Sequence, residues 1–125
     1  MQQQATLAYQ QTAKQTVSPR ELEANILSKS AAQLKRIQDN WIEAESDLHD
    51  ALTFNRRLWT VFLETVTKDE NPLPSEIRQN VANLGIFVLK HTLDVQTAPE
   101  PAKLDVLINI NREIATGLRA AAQAE

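Results

Sequence analysis

A chain of 125 residues is the size of one domain, and 42% hydrophobic residues against 23% charged is the balance of an ordinary globular protein. A formal net charge of −3 disfavours a polyanion such as nucleic acid as a direct ligand, and with no cysteine neither a disulfide framework nor a thiolate metal site is available. Met1–Gln4 lack the basic region and apolar run of a signal peptide. No apolar stretch approaches the ~20 residues of a membrane helix, so a cytoplasmic protein is expected.

The chain opens with Met1–Val17, which carries six glutamines and offers only Ala5, Tyr9, Ala13 and more weakly Thr12 as a helical stripe. Such a segment buries too little apolar surface to hold itself, so it either docks on the rest through Tyr9 or orders on a partner. Ser18-Pro19-Arg20-Glu21 then reads as a capping box, with Ser at the N-cap and Pro at the first helical position. Leu27, Ala31, Leu34, Ile37 and Trp41 trace one face of the helix that follows, expected to run to about Ala44. Ser46 or Asp47 caps the next helix, unless the two form one bent helix.

In that second helix Leu48, Ala51, Leu52, Leu58, Trp59, Phe62 and Val66 share a face at about 100° per residue, with Asn55 in its middle. A carboxamide in such a stripe needs hydrogen-bonding partners, because burying it bare costs roughly 1–3 kcal/mol. The helix should end near Lys68, before the turn Asp69 to Pro74, and Pro74 or Ser75 opens a third. There Ile77, Val81, Leu84, Phe87, Val88 and Val95 make one apolar face, while Ala82, Ile86, Leu89 and Leu93 make another on the opposite side. A central helix packed between neighbours is the preferred explanation; a face kept for a partner, or for a second copy of the chain, is the alternative. Ala98 to Pro101 is a rigid connector, and a last helix carries Leu104, Leu107, Ile108, Ile114, Ala115 and Leu118 with Asn111 central among them.

The expected fold is therefore all-α, a compact bundle of four to five helices without a sheet, with Asn55 and Asn111 joined to Asn80 or His91 in a buried polar cluster that sets helix register. Catalytic and metal chemistry find little support. His49 and His91 lie on different helices, Glu45 with His49 reads as a solvated pair, and the acidic residues from Asp39 to Asp50 are spread around the surface. No enzyme and no cofactor are expected. Of the two arginines beside Asn55, Arg56 is the one placed at a groove edge to pair with a partner's carboxylate.

Four runs carry a resemblance: SPRELEA at 18–24, ALTFNRRLWTVFL at 51–63, NPLPSEIRQNVANLGIFVLKHTL at 71–93 and KLDVLININRE at 103–113, with Tyr9-Gln10-Gln11 before them. In order and over nearly the whole length, they resemble the FlaF family of flagellar biosynthesis regulators. The resemblance implies a small cytoplasmic protein that binds flagellin and supports its export, functionally linked to the regulator FlbT of flagellin translation. An amphipathic client helix would then sit in an apolar groove, for which Ile86, Leu89 and Leu93 are the candidates and the N-terminal segment with Tyr9 the cover. A post-transcriptional regulator acting through RNA or an RNA-binding partner is the second reading, and a plain helical adaptor the third. Charge favours the first, since RNA binding wants a basic surface and exposed aromatic platforms.

Overall fold

A computed structural model of the chain describes residues 18–124. Among them are four long helices and no strand: α1 (Pro19–Asp39), α2 (Leu48–Val66), α3 (Ser75–Thr97) and α4 (Leu104–Gln123). Helix α1 starts where the capping box puts it. Ser18 is extended and its Oγ accepts the Glu21 amide at 3.2 Å, while Pro19 fills the first turn, whose amide would otherwise go unbonded.

Helix α1 stops earlier than Ala44. Asn40 leaves the helical region at φ −125°, ψ 44°, and both its backbone amide and its Nδ2 donate to the Arg36 carbonyl, closing the last turn upon itself. One helical turn, Trp41–Ala44, and a 3₁₀ turn, Glu45–Asp47, then carry the chain round to α2. Of the two readings of the boundary, one bent helix does not describe it, whereas Asp47 does stand at the N-cap of α2, although its carboxylate makes no capping bond there and accepts from Arg36 instead.

Helix α1 packs along α4 and against α2, and the side chains of α2 and α4 meet across the core between them. On α1 the buried stripe is Ala24, Leu27, Ser30, Ala31, Leu34 and Ile37; on α2 it is Leu48, Ala51, Leu52, Asn55, Trp59, Phe62 and Val66. Helix α4 contributes Leu104, Leu107, Ile108, Ile110, Asn111, Ala115 and Leu118. Polar ties at both ends hold α1 antiparallel to α4: Arg119 donates to Asn25 Oδ1 and Ser28 Oγ at one end, and Gln38 Nε2 to the Pro101 carbonyl and Asp105 at the other.

Helix α3 is not central. It packs chiefly on α2 and buries only Val81, Gly85, Val88, Thr92 and Val95, leaving Ile86 54% and Leu93 62% exposed. The buried stripe recurs at steps of four and three, the spacing of a seam against a single neighbour. Its second apolar face, Ala82–Ile86–Leu89–Leu93, is offset by about 110° rather than opposed, taking 100° per residue. Gly85 of α3 leaves room for an α2 side chain: a Cβ there would stand 2.5 Å from Leu63 Cδ2.

The two glycines therefore respond oppositely to the same substitution. Gly117 has open space around its missing Cβ on an exposed face of α4, so Gly117→Ala is expected to stabilise by about 1 kcal/mol through helix propensity. Gly85→Ala should destabilise by about 1 kcal/mol, because displacing Leu63 outweighs the same propensity gain. Chemical denaturation of the two variants beside the parent chain measures both signs.

Candidate functional site

Two arrangements stand out: a polar node where α1, α2 and α4 meet and an apolar groove on the flank of α1 and α2. In the node, Asn55 Oδ1 accepts from Ser30 Oγ at 2.9 Å and from Asn111 Nδ2 at 2.8 Å, while Trp59 Nε1 donates to Asn111 Oδ1 at 2.8 Å. All four residues are fully buried. The amide orientations follow from Trp59, whose indole N–H can only donate. It claims the Asn111 oxygen, which turns Asn111 Nδ2 toward α2, and Asn55 must answer with its own oxygen. Both lone pairs of one carbonyl are thereby spent on two different helices. Asn55 Nδ2 has no hydrogen-bond partner among the described residues.

Of the four residues expected in this cluster, the structure brings together two. Asn55 and Asn111 bond directly, but Asn80 lies on the exposed side of α3. His91 is half-buried elsewhere: its Nε2 meets the Lys103 carbonyl at 2.7 Å and its ring stacks on Phe87 with centroids 5.4 Å apart. Both exclusions have one cause: α3 turns only its Val81–Val88–Val95 seam to the core, and Asn80 and His91 lie off that seam. Ser30 and Trp59 take their place. Ser30 was detectable as the one polar position within the Leu27–Ala31–Leu34 stripe of α1.

The groove runs between α1 and α2 on the side away from α3. Its volume is about 400 Å³ and its lining is Glu23, Ile26 and Leu27 from α1 with Phe54, Arg57, Leu58, Val61, Phe62 and Thr65 from α2. A second recess of about 300 Å³, between Pro19, Arg20, Glu23, Thr65 and Leu73, shares Glu23 and Thr65 with it and extends it to the start of α1. Val61 stands on the rim, 62% exposed. Glu23 sits where the two recesses join; burial holds its carboxyl above the ordinary carboxylate range, with the charge of Arg20 pulling the other way.

Periodicity alone does not reveal this groove, because Leu58 and Phe62 fall on the core stripe of α2 and Phe54 and Val61 lie off it. The arginine at its edge is Arg57, not Arg56. Arg57 projects about 100° round the helix from Arg56, onto the side that carries Phe54, Leu58 and Val61; Arg56 is exposed and outside the lining. Of the expected partner surface on α3, Ile86 and Leu93 are exposed and Leu89 is half-buried. These three occupy one helix and present a ridge, whereas α1 and α2 together make a concavity. Tyr9 and the rest of residues 1–17 lie outside the described residues.

The node and groove belong to helices that match a known family over almost their full extent: the family model of flagellar protein FlaF matches residues 5–118. The chain belongs to the FlaF family. Neither a curated protein nor a solved structure matches it. The FlaF match takes in every residue of the node and of the groove, and it begins within the N-terminal segment. No helix among the described residues is long and apolar enough to cross a membrane, and no group of three His, Cys, Asp or Glu among them is placed to hold a metal ion.

Removing Ser30→Ala deletes one of two bonds to Asn55 and should cost about 1 kcal/mol, while Asn55→Leu strands the Ser30 hydroxyl and the Asn111 amide together and should cost about 3 kcal/mol. Urea unfolding followed by Trp fluorescence distinguishes these. Glu23 yields a pH test. Its native carboxyl binds the proton more tightly than the unfolded one, so its contribution to stability falls as pH rises through its titration. Glu23→Gln is expected to raise the melting temperature at neutral pH and to lose that advantage once pH drops below the carboxylate range.

Proposed function

We propose that this FlaF-family chain is a non-catalytic, cytoplasmic flagellin-binding protein of the export-chaperone type, and that its client seat is the groove between α1 and α2. The observation that carries the reading is the groove itself: a concavity of about 400 Å³ walled by Ile26, Leu27, Phe54, Leu58, Val61 and Phe62. Helix-in-groove recognition needs such a trough, into which a client lays residues spaced three and four apart. An export substrate whose ends form helices only on assembly would be held there against premature association.

Charge on the rim is sparse and mixed, with Glu23 at one side and Arg57 at the other. Binding should therefore depend on apolar burial and be nearly indifferent to salt, unlike RNA binding, whose affinity falls steeply as salt rises.

The test is capture of the cognate flagellin by purified protein, read by size-exclusion chromatography and calorimetric titration. Val61 is exposed, so Val61→Asp leaves the fold intact and should weaken binding by more than tenfold. Leu93→Asp, equally exposed but on α3, should leave it within about threefold, taking ~1.4 kcal/mol as tenfold. Normal capture by Val61→Asp together with loss in Leu93→Asp would move the seat to α3. No capture by the parent chain, with salt-sensitive binding to a flagellin messenger leader, would replace the reading altogether.

A further inference from the structure

Helix α3 carries a second ridge that the rest of the bundle leaves uncovered. Gln79, Ala82, Ile86, Leu89, Leu93 and Gln96 recur at steps of three and four, the heptad spacing of a seam between two helices. The ridge lies about 110° round α3 from the seam that packs on α2, taking 100° per residue. Ile86 and Leu93 are exposed, Ala82 and Leu89 are half-buried, and a glutamine closes each end. Beside the N-terminal half of the ridge is a recess of about 240 Å³, whose lining includes Val66 of α2 with Arg78, Gln79 and Ala82 of α3. Ala82 is the small residue of the row, and Leu93 is its most exposed apolar one.

The row is palindromic in polarity and in size. Laid antiparallel on a second α3, it pairs Gln79 with Gln96, Ala82 with Leu93 and Ile86 with Leu89. Large meets small at both ends of the apolar run, and Leu93 of each copy comes to the recess beside Ala82 of the other. The insertion is reciprocal, as an interface with two-fold symmetry requires. Other registers fit worse. A shift of one heptad sets Gln79 against Leu89 in one direction; in the other it sets Ile86 against Gln96 and brings the two Lys90 side chains together. A parallel pair stacks Ala82 on Ala82 and Leu93 on Leu93, too narrow at one end and too wide at the other. Charge agrees with the antiparallel register. Along the solvent flank Lys90 faces Asn83 and Glu76 faces Thr97, so no like charges meet, and Asp94, off the ridge, is tied to Lys103 of its own chain at 3.3 Å. The last turn of α3 holds no basic residue, and the second copy brings that turn beside Arg78, whose Nη1 donates to the Lys68 carbonyl at 3.1 Å. A guanidinium there faces the negative end of the opposing helix, so each copy supplies the cation that the other lacks.

We propose that the chain forms an antiparallel homodimer through α3, with Leu93 of each copy seated in the recess beside Ala82 of the other. The seam is shorter than the three or four heptads of a free-standing coiled coil, but α3 is already held helical by its packing on α2, so no cost of ordering it falls on association. The α1/α2 groove takes no part in the contact. The dimer therefore does not rest on the flagellin reading, and it leaves one open groove on each copy.

Sedimentation velocity of the full chain over a dilution series should show a monomer–dimer equilibrium, weakened at least tenfold by Leu93→Asp. Ala82→Leu should weaken it as well, although it adds apolar surface, because it fills the recess that Leu93 enters. That sign separates the proposed seating from unspecific clustering. Register is read by disulfide trapping, since the chain has no cysteine of its own. Gln79→Cys mixed with Gln96→Cys should give a mixed disulfide dimer, and neither variant alone should, because in this register each position lies about 26 Å along the seam from its own counterpart, too far for a disulfide. A parent chain that is monomeric at every concentration, a dimer unaffected by either ridge substitution, or disulfides that are homotypic or absent would overturn the proposal. Loss of flagellin capture by Leu93→Asp from a monomeric parent would give the ridge to the client instead.

Discussion

One carbonyl oxygen, Asn55 Oδ1, joins three helices. It accepts from Ser30 on α1 and from Asn111 on α4 while belonging to α2, and the Trp59 indole fixes which way the Asn111 amide faces. Apolar stripes alone tolerate slippage, since a Leu that slides one turn meets another Leu. A hydrogen-bonded node does not: sliding any of the three helices by a turn, about 5.4 Å, would break one or both bonds to Asn55 and leave buried polar groups unpaired. The node therefore selects one register from several that the hydrophobic pattern would accept, the role best attested for a lone Asn in a helical core.

The groove depends on that register. Its two walls are α1 and α2, and the side chains that shape it lie within one or two turns of node residues: Leu27 precedes Ser30, and Phe54 and Leu58 flank Asn55. Fixing α1 against α2 through Ser30 and Asn55 sets the depth and spacing of the trough before anything enters it. A preformed seat spares the binding free energy that ordering two helices would cost. Helix α3 buttresses the opposite side of α2 through the Gly85–Leu63 approach and leaves the groove side open.

Much of this fold was legible in the residues. The prolines and the Ser18 box mark the starts of α1, α3 and α4 but not of α2, periodicity identifies the core faces of α1, α2 and α4, and the pairing of Asn55 with Asn111 follows from finding each at the centre of a stripe. What stayed hidden depends on how elements pair, which periodicity within one helix does not encode. The two apolar faces of the Ile77–Val95 segment suggested a central helix, but in the structure α3 uses only the Val81–Val88–Val95 seam and exposes most of the rest, so Asn80 and His91 drop out of the node. The groove escaped notice for a related reason. Leu58 and Phe62 read equally well as core or as rim, and only the gap between α1 and α2 assigns them to the trough, with Arg57 rather than Arg56 at its edge. Resemblance reached the family, and the FlaF match extends from residue 5 to 118.

The most direct test of the node as the register-setting element is a double-mutant cycle in urea between Asn55→Leu and Asn111→Leu. If the two amides act as one hydrogen-bonded unit, the second substitution should cost much less in the presence of the first, with a coupling of about 2 kcal/mol, within the range for residues in direct contact. Additive losses, with a coupling below about 0.3 kcal/mol, would mean that the helices hold their register by apolar packing alone and would contradict the account.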